Sequence, residues 1–172
     1  MNKFIKYKNW LNEQNPSDWR DFLSWKRKNV TCRGIKNIWQ KNGVYGSFGK
    51  GLYTVPLSNK SMARQYGELY YLVNAKPHNP KIVNSLNEAE IVIQGLIIKF
   101  CEENQIEGYG KSFFESKTTI EDEMIKQGYD GLIIKGREMV NYTPSENVQY
   151  YRTEDQLYNY YNYFSSHNNI NK

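Results

Sequence analysis

Apolar and polar positions recur along this chain with two different periods, and the switches between them mark its elements. Residues 18–28, DWRDFLSWKRK, repeat at the helical period: Trp19, Phe22, Leu23 and Trp25 share a face, acids fill the first turn, bases the last, and Ser17 stands as N-cap. Residues 29–35, NVTCRGI, read as a short β-branched strand that carries an arginine and ends at a glycine. A strand over residues 52–55 leads through Pro56 to a helix, NKSMARQYG, with Ser58 as N-cap and Gly67 as its stop. Residues 68–75, ELYYLVNA, are the clearest strand, closed by Pro77 and Pro80, and residues 81–84 extend the sheet.

The second half continues in the same way. Residues 86–104 form a helix with Ile91, Ile93, Leu96, Ile97 and Phe100 on a wide apolar face that Gly95 interrupts. A polar loop, EGYGKSFFESKTT, follows. A short helix over residues 120–127 stops at Gly128, and strands 131–135 and 138–142 are joined at Gly136-Arg137. Residues 149–151 make an edge strand, Thr153 to Gln156 cap a last helix over residues 153–164, and the tail after it reads as disordered. Helices and strands are grouped rather than strictly alternating, which indicates an α+β fold.

A length of 172 residues suits one domain, with a helical segment 1–28, a core 29–151 and the C-terminal helix. No apolar run reaches membrane-spanning length and no signal peptide opens the chain, so the expected location is cytoplasmic, with no membrane partner. Two cysteines, Cys32 and Cys101, build no disulfide framework, and with two histidines a metal site has few ligands to draw on, so none is expected. The net charge of +5 favours an anionic partner, but the basic residues are spread along the chain. Fifteen tyrosines are more than the core requires, which puts several at surfaces or in a cleft.

The stretch GSFGKGLYT, residues 46–54, looks like a phosphate-cradling loop, and the spacing decides against it. A Walker loop would need glycine at Val44 and Ser or Thr at Gly51, and a dinucleotide fingerprint would need Gly or Ala at Thr54. What remains is a glycine-hinged approach to the strand carrying Tyr53.

Three segments in this order and spacing, Cys32-Arg33-Gly34, then Gly49 to Thr54 followed by a helix with Ala63-Arg64-Gln65-Tyr66, then Gly128-Tyr129-Asp130-Gly131 with Glu138-Met139-Val140, resemble the ADP-ribosyltransferase superfamily. The likeness is greatest to small bacterial and phage members. It covers residues 30–151 and implies a split β-sandwich of two small sheets with flanking helices. It also implies NAD as the substrate, with Glu138 as the catalytic carboxylate facing the positive charge that develops on the ribose. Arg33 and Gly34 would hold the dinucleotide, Gly51 would clear space for it, and Tyr53, Thr54 and Tyr66 would form the nicotinamide slot. Phe113 and Phe114 would belong to an acceptor-recognition loop.

Each of these residues also has a plainer explanation. Glu138 could be a strand-end acid paired with Lys135 or Arg137, Arg33 an edge salt bridge, Tyr53 sheet packing, Tyr66 helix packing, and the two phenylalanines could tuck under their loop. Asp130 reads as a turn residue, and Lys50 as a solvent or phosphate-edge contact. No histidine stands near Arg33, so the histidine branch of the family is not matched. The second acid of the arginine branch is missing too, because Gly136 occupies its position. The implied activity is mono-ADP-ribosyl transfer to a macromolecule, a protein foremost and a nucleic acid as the other acceptor class. NAD hydrolysis and silent binding of NAD or ADP-ribose are the alternatives.

Overall fold

The computed structural model describes residues 16–37, 43–108 and 119–168, so the expectations for Phe113, Phe114 and the last four residues lie outside the described residues. The elements run α1 (Pro16–Asn29), β1 (Val30–Ile35), β2 (Val44–Gly46), β3 (Gly49–Pro56), a 3-10 turn (Leu57–Asn59), α2 (Lys60–Gln65), β4 (Glu68–Val73), β5 (Pro80–Val83), α3 (Leu86–Glu103), α4 (Ile120–Lys126), β6 (Gly131–Ile134), β7 (Glu138–Asn141), β8 (Gln149–Tyr151) and α5 (Glu154–Asn168). The fold is mixed helix and sheet, in agreement with an α+β reading.

Four local expectations are corrected. The glycine stretch is a β-hairpin, β2 to β3, rather than a loop before a strand. Ser58 lies inside the 3-10 turn and α2 begins after Asn59, with no side-chain cap. The stretch SSHN, expected to be disordered, continues α5 to Asn168. Ser17, expected as an N-cap, also falls inside α1, which begins at Pro16, whereas Thr153 Oγ1 accepts the Gln156 N–H at 3.2 Å and Gly128, at φ +88°, ends the turn after α4.

The strands join in one eight-stranded sheet, β5-β6-β7-β3-β1-β4-β8, with β2 paired to β3 off that path. Only the β5–β6 pair is parallel. The expected two small sheets are therefore linked, and β3 is the link. Its first residues pair with β2 (Gly51 with Val44), its middle with β7 (Tyr53 with Val140), and its last two with β1 (Val55 with Cys32, Pro56 with Thr31).

Three buried clusters fill the molecule. α1, α2 and α5 cover β1 and β4 through Phe22, Val30, Cys32, Ala63, Tyr71, Val73 and Leu157. α3 and α4 cover β5 to β7 through Ala89, Ile93, Leu96, Met124, Leu132, Ile134 and Val140. Leu52, Tyr70, Leu72 and Ala75 form the third, with Ile35. No described helix is long and apolar enough to cross a membrane.

The two ends of the described chain are fastened together. Trp19 and Phe22 of α1 pack against Tyr158 of α5 at ring distances of 5.6 and 5.0 Å. Lys26, itself buried, pairs with Glu154, which Lys60 also approaches at 3.5 Å. Burial would raise the Glu154 carboxyl, but the two ammoniums outweigh it and hold the group below its ordinary value of 4.5. A depressed folded-state pKa supplies stability that is complete above the unfolded value and lost as pH falls through the folded one. Glu154→Gln should therefore lower stability at neutral pH and flatten the loss of stability below about pH 4.5, measured by urea denaturation across an acid series.

Candidate active site

β1 and β3 pair only at two positions, and past Cys32 they part. A cleft of about 450 Å³ opens there, within the range of small-molecule sites. Its walls come from the separated strands, the β2–β3 hairpin, one side of α2 (Met62, Ala63, Tyr66), the first turns of α3 (Leu86, Glu90) and the start of β7. Of the residues singled out from the sequence, Arg33, Gly34, Tyr53, Thr54, Tyr66 and Glu138 all border it. Gly51 does not.

Strand alternation divides this set. Tyr53 is paired with Val140, so Tyr53, Val140 and Glu138 share one side of the sheet. Cys32 is paired with Val55, which puts Arg33 and Thr54 together on the other. Both side chains are buried on that side.

Glu138 opens β7 with its side chain 17% exposed, and it accepts a bond from Arg137 Nε at 3.2 Å. The plainer explanation for Glu138, pairing with Arg137, thus holds at the same time as its position in the cleft. Tyr53 is held on two sides: its hydroxyl donates to the Gly49 carbonyl at 2.7 Å and accepts the Phe48 N–H at 3.1 Å. Burial above all pushes its phenol above the ordinary range, and the carboxylates of Glu138 and Glu121 add to this. The ring forms cleft wall while the hydroxyl closes the hairpin. Tyr66, just after α2, is 59% exposed and free to stack on a planar ligand.

Arg33 is 6% exposed, and its Nη1 has no hydrogen-bond partner among the described residues; the same holds for Thr31 Oγ1 and Thr54 Oγ1. An edge salt bridge for Arg33 is thereby corrected: no carboxylate among the described residues meets it. Burial lowers the guanidinium's pKa, and Tyr150 opposes the shift. A buried, partnerless guanidinium is costly and calls for an anion. Cys32 also borders the cleft, but burial pushes its thiol up to about 11, which keeps it protonated and unreactive at neutral pH.

The two glycines serve packing. A Cβ on Gly34 would lie 1.8 Å from the Ala63 carbonyl oxygen, so the bare position lets α2 rest on β1. A Cβ on Gly51 would meet Val140 Cγ2 at 2.5 Å, so Gly51 brings β3 against β7 and clears no room for a ligand. Lys50 stacks over the exposed ring of Tyr45, 5.6 Å from its centroid, and its N–H donates to Glu121. Asp130 accepts the N–H groups of His78 and Asn79 and so fixes the turn before β5.

Tyr45 and Glu90 are cleft residues that the sequence pattern does not reveal. Tyr45 sits in the hairpin strand that the glycines obscure. Glu90 flanks the apolar stripe of α3, where it looks like any solvated helix acid. Among the described residues, no three His, Cys, Asp or Glu side chains lie close enough together to hold a metal ion. No family model matches the chain, and no curated protein or solved structure is significantly similar to it.

Two substitutions test these local assignments. Tyr53→Phe keeps the ring and loses both hydroxyl bonds, which should cost about 1–3 kcal/mol in thermal denaturation. Gly34→Ala should destabilise by about 1–3 kcal/mol or more, because the backbone it would strike has no room to yield.

Proposed function

We propose that the protein is a mono-ADP-ribosyltransferase, which breaks the nicotinamide–ribose bond of NAD and transfers ADP-ribose to a macromolecular acceptor, a protein foremost and a nucleic acid as the other acceptor class. The observation that carries this reading is the cleft at the strand split, bordered by the Glu138 carboxylate and the exposed ring of Tyr66, with the buried guanidinium of Arg33, on the opposite face of the sheet, having no counter-ion among the described residues. NAD meets both demands. Its diphosphate would supply the anion that Arg33 lacks once that side chain turns from the far face into the strand split, in the planar, multiply bonded recognition for which a guanidinium is suited. Its ribose gains positive charge as the bond to nicotinamide breaks, and a fixed carboxylate stabilises that state more than the ground state.

The remaining roles follow from position. Tyr66 offers an exposed ring for the nicotinamide to stack on, against the wall that Tyr53 makes. The bond's electron pair goes to the ring nitrogen, neutral nicotinamide leaves, and the acceptor bonds to the ribose carbon. Water in the acceptor's place would give NAD hydrolysis from the same residues.

The test is incubation of the purified protein with NAD labelled in its adenosine half, alone and with host proteins and nucleic acids. Nicotinamide release is expected, with label on a macromolecule, and Glu138→Gln should slow release by about 100-fold or more. Absence of both release and label from the wild type would rule the enzyme out. Calorimetric binding of ADP-ribose without turnover would then mark a silent binding module.

A further inference from the structure

The proposed reaction leaves one proton without a destination. An acceptor hydroxyl or amine that bonds to the ribose carbon must lose its proton, and Glu138, committed to the ribose cation, is not placed to take it. The chain has no acid at position 136, where Gly136 forms the turn between β6 and β7 with φ +71°. The cleft nevertheless contains a second carboxylate. Glu90 and Glu138 are the two acids that border it, one from α3 and the other from β7.

The placement of Glu90 is specific. Ser85 caps α3 by accepting the Glu88 N–H at 3.2 Å, which sets the helix's first turn. Ala89, Ile93 and Leu96 face the core, and Leu86 and Glu90, one turn apart, face the cleft. Glu88 spends its carboxylate on Asn84, Glu121 on the Lys50 N–H, and Glu154 on two lysines. Glu90, by contrast, makes no hydrogen bond or ion pair among the described residues. It is an exposed, uncommitted carboxylate bordering the same cleft as the one already bound to Arg137.

We infer that Glu90 is the general base for the incoming acceptor, an inference that rests on the ADP-ribosyl transfer reading of this cleft. The step balances. The bond from the ribose carbon to the nicotinamide nitrogen breaks with its electron pair leaving on the nitrogen. The acceptor oxygen or nitrogen forms the new bond to that carbon, and its proton passes to the Glu90 carboxylate and from there to solvent. Division of labour between two carboxylates is the general solution for displacement at a sugar carbon. Here the two come from different layers of the fold, which is why no short sequence motif contains both.

The test uses nucleophiles that differ in whether they carry a proton. Glu90→Ala replaces an exposed helix residue with the best helix former, so the fold is kept. With water or added methanol as acceptor, the variant should release nicotinamide from NAD about 100-fold more slowly than wild type. Azide is already an anion and needs no base, so adding sodium azide should restore release and yield ADP-ribosyl azide. Glu138→Gln should stay slow with azide as without it, because its defect is the lost stabilisation of positive charge on the ribose, which azide does not replace. Unchanged release by Glu90→Ala in water, or a slow variant that azide does not restore, overturns the assignment of Glu90 alone. A wild type that releases no nicotinamide overturns the transfer reading and this inference with it.

Discussion

Everything about the cleft depends on how β3 shares out its backbone hydrogen bonds. A strand has two edges, and every buried N–H and C=O along them needs a partner. β3 satisfies this with three strands in succession: β2 at its start, β7 in its middle and β1 at its end. Because β1 pairs with it at only two positions, the strands part beside Arg33 and Thr54, and a gap opens in what would otherwise be a continuous sheet. The gap is kept open by helices standing on either side of it. α2 rests on the bare backbone of Gly34, and α3 is anchored by Ala89 and Ile93 over β5 and β6.

The charged groups fall into two kinds. Lys26 and Lys60 share the one carboxylate of Glu154, a structural use in which each charge has an opposite charge beside it. In the cleft, Arg33 and Glu90 lack such partners. Burying an uncompensated guanidinium is costly to folding, and the contrast is what the proposed function is built on. Glu138 stands between the two kinds, paired with Arg137 yet bordering the cleft.

Much of the fold was legible because it obeys simple local rules. α3 announced itself by its apolar stripe, α4 by its glycine stop, β4 by its run of aromatic and β-branched residues. β2 was hidden, since three residues flanked by glycines carry too little pattern to stand out, and their strand character comes from pairing with β3. Six of the seven ligand residues inferred for the described part of the chain do border one cleft; the seventh, Gly51, was misread because a glycine's empty side looks the same from sequence whether a ligand or a neighbouring strand fills it. The separation of Arg33 and Thr54 from Tyr53 across the sheet required the register between β1 and β3, a long-range fact. Glu90 was illegible for the same reason: its place at the cleft depends on what packs beside α3.

The pairing of α1 with α5 has a consequence for biosynthesis. Lys26 and Glu154 are 128 residues apart, and Phe22 is buried by Tyr158 and Tyr161 of the last helix. During translation α1 emerges with its aromatic face uncovered and waits for nearly the whole chain before its partner is made. An aromatic helix left open for that interval is the kind of surface that chaperones hold and that nascent chains aggregate through. The aromatic face of the first described helix is thus covered only after the last described helix has been made.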